Sequence, residues 1–540
     1  MIKKIFHGTI NSISTAALLV ALSSLLSRLL GVFRDRILAG EFGAGDTLDI
    51  YYAAFKVPDL IFNLLVLGAL SAGFIPIFTH LIKNHHKTED NREAWEMVTS
   101  IINILGLSLI VLSVFAIIFT KPIMHIFAPG FSPEKLANTI TLTRIMFLSP
   151  LFLGLSSIFG GVLQSFKRFF VYSLAPILYN IGIIIGALYF VPLWGIYGLG
   201  WGVVMGATLH FLVQLLVVIR LGLRYKFKFN INDINVRKIG KLMVPRTLSL
   251  AIAQIDLLVS TAIATTLASG SLAIFNLANN LQSFPIGIFG ISFATAVFPT
   301  LSQFSNDNEK FISSYSSTFR QILFFIVPST VIFLAMPAQI IRVVLGTGRF
   351  DWQNTLLTIQ TLSLFSISLF AQALIPLLVR MFYAKQNSKK PFYIGLISVL
   401  TDIVLSLTLS RKFGVAGISL AFSIANIVNF SLLWIVLKIE LKNMDEPKIL
   451  LSLTKFIIAA AGTVLAIQAM KLLIWPFIDM TKTLGVFIQG ASAGVIGLSV
   501  YFLICAILKS EEFFGFFDGL KKRLPWKKIS TEDQTEARGI

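Results

Sequence analysis

Apolar runs about 20 residues long follow one another along the whole chain, with short polar segments between them. A helix needs about 20 apolar residues to cross the roughly 30 Å hydrocarbon core of a bilayer, so each run predicts a transmembrane helix. We count about fourteen runs. The predicted spans are 11–33, 50–82, 95–120, 137–165, 171–192, 196–219, 242–268, 273–302, 316–340, 355–383, 392–410, 415–437, 451–475 and 485–508.

The second and eighth runs are long, and each contains a proline, Pro58 and Pro285. In a membrane, neighbouring helices can satisfy the carbonyl group that a proline leaves without a partner. We therefore expect each proline to kink its helix rather than to end it.

The sequence repeats itself at a separation of about 220 residues. The segment LYNIGIIIGALYFVPLWGIYGLGWG resembles LTDIVLSLTLSRKFGVAGISLAF, so Asn180 corresponds to Asp402 and the turn Gly195-x-x-Gly198 to Gly414-x-x-Gly417. Because an even number of spans, six, separates the copies, they share one orientation. This predicts two lobes related by an axis along the membrane normal, and transporters bind their substrates between such lobes.

The predicted fold is an all-α polytopic membrane protein. Its predicted parts are an N-terminal six-helix lobe (1–220), a basic cytoplasmic linker (221–241), a C-terminal six-helix lobe (242–440), two further transmembrane helices (441–508) and an amphipathic, then disordered cytoplasmic tail (509–540). The tail begins with five apolar residues beside a Lys/Arg run, which predicts an interfacial helix, with partner binding as the alternative. These residues are Phe513, Phe514, Phe516, Phe517 and Leu520.

Composition supports the membrane assignment. Only 13% of the residues are charged, 56% are hydrophobic and the mean hydropathy is +0.82. A soluble globular protein has about 25% charged residues, so a soluble helical fold would have almost no surface to present to water.

The net charge of +19 reports topology rather than nucleic-acid binding, because Lys and Arg lie in short loops between apolar runs. With the N-terminus inside the cell, the cytoplasmic loops carry about 28 Lys and Arg and the outer loops about nine. This bias predicts that both termini face the cytoplasm. The cations also place the basic loops beside anionic lipid headgroups.

No motif of an enzyme or of a metal site is present in the sequence. The single cysteine, Cys505, excludes an intramolecular disulfide, and the six histidines have no metal-site spacing. We find no phosphate-binding glycine loop, nucleophile elbow or carboxylate pair. The N-terminal run has the charge pattern of a signal peptide, but Arg28 and the helix pair that follows predict a retained first span.

Ionisable residues inside a span are costly and usually face a polar cavity on a substrate path. Arg28 and Arg34 lie on one side of the first predicted helix, with Asp35 on nearly the same face as Arg28. Two guanidinium groups in a cavity offer bidentate donors to a pyrophosphate or a carboxylate. Alternatively, Arg34 extends to the outer interface and pairs with Asp35.

Lys56 lies one to two turns into the second span, and Asp49 lies seven residues earlier on a similar face. They are either further substrate contacts, or Asp49 forms a structural pair with Lys56 or with Arg34.

Asp256 in span seven and Asp402 in span eleven are isolated acids within apolar runs. Either acid is a candidate ligand of a monovalent cation, Na⁺ or H⁺, together with Ser or Thr hydroxyls and backbone carbonyls. The alternatives are a protonated structural acid and, for Asp256, an ion pair with Arg246. No other cofactor is predicted.

Several segments resemble the MurJ (MviN) family of lipid II flippases, in the multidrug/oligosaccharidyl-lipid/polysaccharide exporter superfamily. The most specific are SRLLGVFRD, FGAGDTLDIYYAAFKVPD and GALSAGFIPIF, between Ser27 and Phe78. Further likeness lies in VPRTLSLAIAQIDLLVSTAIATTLASGS, FPIGIFGISFATAVFPTLSQ, GTGRFD and VRMFYAKQNSKKPFYIGLISVLTDIVLSL, so the resemblance covers about residues 10 to 440. It implies fourteen helices in two lobes around a cationic cavity, in a bacterial cytoplasmic (inner) membrane.

The resemblance also implies site residues and a cargo. Arg28, Arg34, Asp49 and Lys56 match cavity or motif positions of the family, and Asp35 and Asn280 would support the cavity. The cargo would be an undecaprenyl-pyrophosphate-linked disaccharide pentapeptide, lipid II.

The chain departs from the family at several charged positions. Where the family commonly has two arginines and, one turn later, a glutamate, this sequence has Phe62, Asn63 and Leu67. Where the family has Asp-Arg or Asn-Arg in span eight, this sequence has Asn279–Asn280.

The leading hypothesis is therefore a flippase, not an enzyme, that moves lipid II across the cytoplasmic membrane by alternating access during peptidoglycan biosynthesis. The expected partners are lipid II or a similar polyprenyl-pyrophosphate glycolipid, membrane lipids and cell-wall synthesis proteins. The alternatives are an exporter of another lipid-linked glycan, a cation-coupled small-molecule antiporter, and a non-transporting scaffold for cell-wall synthesis.

Overall fold

The computed structural model of the protein describes residues 13–67, 74–84, 92–227, 229–230 and 233–523. Within these ranges the chain is helical and has no β-strand. The helices are α1 (Ile13–Phe42), α2 (Asp46–Phe62), α3 (Ile75–Asn84), α4 (Arg92–Ile118), α5 (Thr120–Phe127), α6 (Pro133–Met146), α7 (Leu148–Ser165), α8 (Phe169–Ile185), α9 (Val191–Trp194), α10 (Tyr197–Arg220), α11 (Ile234–Thr265), α12 (Ser271–Pro285), α13 (Ser292–Gln303), α14 (Asn308–Ala335), α15 (Pro337–Val344), α16 (Trp352–Ser366), α17 (Leu369–Ala384), α18 (Lys389–Phe413), α19 (Val415–Leu441), α20 (Glu446–Ile474), α21 (Thr483–Ile507) and α22 (Glu511–Arg523).

Ten spans in the described part of the chain are long and apolar enough to cross a bilayer, and the bent pair α16–α17 makes up to eleven. Each coincides with a span predicted from the sequence. The predicted spans 11–33, 50–82 and 242–268 include positions outside the described residues or side chains, so these three stay predictions. The chain is thus an all-helical membrane protein with many spans.

Both prolines lie within continuous helical segments, as predicted. Pro58 lies inside α2, which passes into a π-helical turn at Asn63–Leu67. Pro285 ends α12, but a second π-helical turn, Ile286–Ile291, connects α12 directly to α13 within one span. π-Helical turns accommodate the altered hydrogen bonding near a proline without ending the helix.

The chain forms two compact units that do not follow a single cut in the sequence. The first comprises Met1–Phe284, Ile341–Phe365 and Phe392–Ala425, and the second comprises Pro285–Ile340, Ser366–Pro391 and Asn426–Ile540. In the first, Phe78 packs against Trp95 and Phe166 between α3, α4 and α7. In the second, the Tyr501 hydroxyl donates to the Phe324 carbonyl at 3.0 Å and joins α21 to α14. The predicted lobe boundaries stay predictions.

The repeat predicted from the sequence has two matching turns in the structure. Gly195 and Gly414 both have positive φ angles, +60° and +57°, which favour glycine. In each turn the later glycine, Gly198 or Gly417, donates its N–H to the carbonyl of the first, at 2.9 and 3.0 Å. The backbone therefore forms the same kind of turn in both copies, at the positions that the sequence repeat matched.

Helices α8 and α10 meet along a seam of glycines spaced by four residues. These are Gly182 on α8, Gly186 at the start of the π-helical turn Gly186–Phe190 that continues α8, and Gly198, Gly202 and Gly206 on α10. A Cβ atom on Gly182 would lie 2.2 Å from the Cα of Gly206, and one on Gly202 would lie 2.5 Å from the Cα of Gly186. Small residues allow membrane helices to approach this closely, so the seam fixes the distance between α8 and α10.

We expect Gly182→Ala to destabilise the protein, because the new methyl group meets backbone atoms that cannot rotate away. Overpacking of this kind costs about 1–3 kcal/mol and sometimes more. Thermal unfolding of the purified protein in detergent measures the effect. Gly395→Ala on α18 is the matched control, since its Cβ would meet no atom within 4 Å and alanine favours a helix. Equal melting temperatures of the two variants would contradict the importance of the seam.

The helix α22 follows the last span where the sequence predicts an interfacial helix. Glu512 is buried and accepts hydrogen bonds from Ser452 at 2.9 Å and Ser510 at 2.7 Å, and it forms an ion pair with Arg320. Burial raises the pKa of Glu512, but these hydrogen bonds and the Arg320 charge outweigh burial, so its pKa lies below the ordinary value. Phe516 packs on Phe325 at 5.1 Å between ring centroids. The helix is thus fastened to α14 and α20, while 524–540 lie outside the described residues.

Candidate functional site

Arg34 is held in a closed polar cluster in the first unit. Its guanidinium donates to Asp35 Oδ1 through Nε at 3.0 Å and Nη2 at 2.7 Å, and to Asn180 Oδ1 through Nη1 at 3.1 Å. Asn280 donates to the second Asp35 oxygen, Oδ2, at 2.9 Å. The predicted residues Arg34, Asp35 and Asn280 thus come together, and the charge of Arg34 is already balanced by Asp35.

Asn180 is the member of this cluster that the sequence did not single out as a site residue. Its Nδ2 donates to the Pro176 carbonyl at 3.0 Å, which orients its Oδ1 towards Arg34. The sequence repeat does pair Asn180 with Asp402. That correspondence could have identified Asn180 as a site residue.

Lys56 lies on α2, and its Nζ donates to Asn276 Oδ1 at 2.9 Å. Asn276 is held in turn because its Nδ2 donates to the Leu272 carbonyl on α12 at 2.7 Å. In the described part of the chain no carboxylate forms an ion pair with Lys56, although Asp59, about one turn along α2, lies near enough for the two charges to interact. Neither structural pair considered for Asp49, with Lys56 or with Arg34, is the pair that the structure shows.

Asp49 instead binds the start of α12 and a lysine on α6. Its carboxylate, 2% exposed, accepts from the backbone N–H of Gly270 at 2.8 Å and of Ala273 at 2.9 Å, and from Lys135 Nζ at 2.8 Å. A carboxylate at a helix N-terminus is favoured by the free N–H groups and by the helix dipole. Both carboxylate oxygens of Asp49 therefore already accept hydrogen bonds from groups of the protein.

Lys135 also binds Asp46 at 2.6 Å, and Ser269 donates to Asp46 at 2.6 Å. Lys135 was missed by the sequence reasoning. It lies in the first turn of α6, where Ser132 accepts from the Lys135 N–H and Pro133 begins the helix. The Ser-Pro capping signal in the sequence could have indicated this helix start, but it gives no reason to connect Lys135 to Asp49.

Arg28 has surroundings different from those of Arg34. Its side chain is exposed and lines a polar cavity between α1, α7, α8 and α10. Among the described residues it has no hydrogen-bond or ion-pair partner. Six residues separate it from Arg34 on α1, which is a rise of about 9 Å along the helix.

The positions where the sequence departs from the family pattern have ordinary structural surroundings. Phe62 packs against the apolar core of the first unit, and the Asn63 side chain hydrogen-bonds to the Asp59 carboxylate. The side chain of Leu67 lies outside the described residues. An arginine in place of Phe62 would have to leave that apolar packing to reach a polar cavity.

Asp256 on α11 and Asp402 on α18 come together inside the first unit, although they are 146 positions apart in the sequence. Their carboxyl groups are within hydrogen-bonding range of each other, Asp402 is 1% exposed, and Asp256 Oδ1 is buried without a partner in the described part of the chain. Ser260 Oγ lies 3.4 Å from one Asp402 oxygen and Ser406 Oγ lies 3.5 Å from the other. The side chain of Arg246, the alternative partner of Asp256, is outside the described residues.

Two carboxylates this close cannot both stay ionised unless a cation or a shared proton lies between them. Carboxylate and hydroxyl oxygens are the donors that hard cations prefer. Within the described residues no group of three or more His, Cys, Asp or Glu side chains could hold a metal ion.

The two pairs are related through the repeat. Asn180, the partner of Arg34, corresponds to Asp402, the neighbour of Asp256, and the same separation of 222 positions relates Arg34 to Asp256. One copy of the repeat thus places a cation and an amide where the other places two acids.

Comparison with known proteins agrees with the resemblance seen in the motifs. The family model described as lipid II flippase MurJ matches residues 38–489. A probable lipid II flippase MurJ from Buchnera aphidicola subsp. Acyrthosiphon pisum (strain APS) is 31% identical over 420 residues, which cover 77% of this chain and 81% of that protein. The lipid II flippase MurJ of Burkholderia cenocepacia is 28% identical over 434 residues, 78% of this chain and 83% of that protein.

Solved structures give the same result. A lipid II flippase MurJ in an inward closed conformation matches with a TM-score of 0.73 and 25% identity, over 91% of this chain and 98% of that one. An inward-facing multidrug transporter of the MATE family in the MOP superfamily matches with a TM-score of 0.64 and 15% identity, over 80% and 99%, which shows a shared fold. Because the family model matches most of this chain, the chain belongs to the lipid II flippase MurJ family.

Proposed function

We propose that the protein is a transporter that flips lipid II across the bacterial cytoplasmic membrane. The observation that carries the proposal is Arg28, an exposed guanidinium without a partner among the described residues, at a polar cavity in a chain of the MurJ family. A guanidinium is well suited to a pyrophosphate because it donates to two oxygens at once.

The other predicted cations have supporting roles in this proposal. Arg34, whose charge is balanced by Asp35 and whose position is fixed by Asn180, keeps the polar face of α1 in place. It offers a second guanidinium when the pyrophosphate displaces these partners. Lys56, held by the neutral Asn276, adds positive potential without a counter-charge in direct contact. Asp49 holds helices together and does not contact the cargo.

The proposed topology has fourteen spans, in two six-helix lobes and two C-terminal helices, with both termini in the cytoplasm. The ten to eleven spans of the described chain and the matching glycine turns of the repeat support it. The headgroup crosses as the protein alternates between inward-open and outward-open states, and the polyprenyl tail stays in the bilayer.

Coupling to a monovalent cation, Na⁺ or H⁺, at Asp256 and Asp402 is part of the proposal. The paired carboxyl groups with Ser260 and Ser406 support it, because binding and release of a positive charge there would change the electrostatic energy of a buried site. No nucleotide-binding motif occurs in the sequence to supply another source of energy.

Complementation tests the function. The protein is expressed in a bacterium depleted of its own lipid II flippase, and growth and the exposure of lipid II on the outer leaflet are measured. We expect rescue, with lipid II accessible from outside. Absence of rescue while the protein is present in the membrane would contradict lipid II transport and favour another lipid-linked glycan or a scaffold role.

A further inference from the structure

The polar cavity that Arg28 borders lies wholly within the first unit and has a volume of about 540 Å³, within the usual range of small-molecule sites. It is formed by the middle of α1, the first residue of α3 (Ile75), the C-terminal half of α7, the start of α8 and the C-terminal half of α10. None of the residues that line it is acidic.

The lining is dominated by neutral hydrogen-bonding groups. Its serine hydroxyls belong to Ser23, Ser24, Ser27, Ser156, Ser157 and Ser173. Two glutamine amides, the His210 imidazole and the Tyr172 ring complete the polar and aromatic surface. Such a set can both donate and accept, which suits a ligand rich in hydroxyl and amide groups.

Two of these groups are buried and lack a partner in the described part of the chain. They are Ser173 Oγ, in a residue 7% exposed, and Gln214 Oε1, in a residue 1% exposed. A buried polar atom without a hydrogen bond costs about 1–3 kcal/mol, so such atoms usually have a partner in the functional state. A hydrogen-bond donor on a ligand would supply the partner that Gln214 Oε1 lacks.

The neighbouring groups are already arranged around this open acceptor. Ser156 Oγ lies 2.7 Å from His210 Nδ1 and donates to the His210 carbonyl at 3.0 Å, which holds the imidazole one turn from Gln214. Gly160 packs closely against Gln214, since a Cβ there would lie 3.2 Å from Gln214 Oε1 and 3.3 Å from the Tyr172 ring. A methyl group at this position would therefore crowd both the unpartnered acceptor and the aromatic ring.

We propose that this cavity is a subsite for an N-acetylated sugar of the cargo headgroup. The inference rests on the proposed function. An N-acetyl group supplies the amide donor that Gln214 lacks, the sugar hydroxyls match the serines, and the less polar face of the sugar ring packs on Tyr172. Arg28 at the edge of the cavity then faces the phosphate attached to that sugar.

The test uses the full chain in lipid nanodiscs with N,N′-diacetylchitobiose, a soluble N-acetylated disaccharide, as the probe. Saturation-transfer NMR measures its binding. We expect a signal for the natural sequence that falls at least tenfold with Gln214→Leu, which removes the open acceptor, and with Gly160→Ala, which crowds that acceptor.

Ser149→Ala, on the same helix as Gly160, is the matched control. Its buried hydroxyl donates to the Met146 carbonyl at 2.8 Å, outside the cavity, so it should keep the signal. Thermal unfolding reports whether each variant is folded. If Gln214→Leu does not fold, the comparison of Gly160→Ala with Ser149→Ala decides the result. No signal with the natural sequence, or equal signals in Gly160→Ala and Ser149→Ala, would overturn the sugar subsite.

Transport of lipid II in proteoliposomes separates this inference from the proposed function. Transport without a chitobiose signal would overturn the sugar subsite and leave the flippase function standing. A chitobiose signal that depends on Gln214, without transport of lipid II, would overturn lipid II as the cargo and keep a site for another N-acetylated glycan.

Discussion

Arg28→Ala is expected to abolish rescue of a bacterium depleted of its own lipid II flippase. Among the predicted arginines, Arg28 is the one without a hydrogen bond or ion pair to a described residue. In the proposed function its loss therefore removes a phosphate contact and leaves no protein group without its partner. A charge-assisted hydrogen bond contributes about 1.5–3 kcal/mol, which corresponds to a loss of about ten- to a hundredfold in binding. Phe62 and Asn63 carry no charge, and Arg34 is already paired with Asp35, so compensation is limited to Lys56 and to the release of Arg34 from that pair.

Transport of lipid II in proteoliposomes gives the size of the effect. Arg28→Lys should retain part of the activity, because it keeps the charge and loses the bidentate geometry. Arg220→Ala, an exposed arginine at the end of α10, is the control for losing one positive charge. Full activity of Arg28→Ala would refute the proposed pyrophosphate contact.

Arg34→Ala would give a less specific answer. It removes the partner of Asp35, which is 5% exposed, and leaves a buried carboxylate with the single Asn280 hydrogen bond. Breaking a buried pair costs about 3–5 kcal/mol, so the variant would mix unfolding with lost transport. The two arginines therefore differ in what their removal can show.

Asp402→Asn is expected to remove the dependence of transport on a cation gradient. Asparagine keeps the size of the side chain but leaves the site with one carboxyl group, Asp256, in place of two. If Na⁺ is the coupling ion, NaCl should raise the melting temperature of the natural protein relative to choline chloride, and the variant should lose this shift. A ligand at a hundred times its Kd stabilises by about 2.7 kcal/mol, which is a readily measured effect.

If the coupling ion is a proton, the same variant should lose the response of lipid II transport to a pH gradient and show no Na⁺ shift. Ser406→Ala is the milder comparison, since Ser406 Oγ lies 3.5 Å from Asp402 and contributes no charge. Transport by Asp402→Asn that follows Na⁺ and pH gradients as the natural protein does would refute this site.

The sequence was sufficient for the helices and much of the site because the signals were local or periodic. Apolar length predicted the spans, and the Gly195 and Gly414 turns were found because both need a residue that tolerates positive φ. Adjacent residues such as Arg34 and Asp35 were expected to pair, and they do.

The rest depends on contacts between distant residues that no local rule predicts. Lys135 reaches Asp49 from a helix start 86 positions later, and Asn276 meets Lys56 across 220 positions. The spacing on α2 suggested that Asp49 would pair with a cation on its own helix face. The backbone N–H groups at the start of α12 compete more strongly for that carboxylate, because they are fixed in place and gain from the helix dipole.

The attachment of Asp49 to α12 and Lys135 has a consequence for genetics. A screen for inactive alleles would recover Asp49 beside Arg28, and conservation of either residue would look the same in an alignment. The defects would be of different kinds, because Asp49 alleles would reduce the amount of correctly assembled protein and Arg28 alleles would leave that amount unchanged. If the proposed function is correct, mapping the route of the cargo from loss of growth alone would therefore draw it through Asp49, a contact between helices that lies off that route.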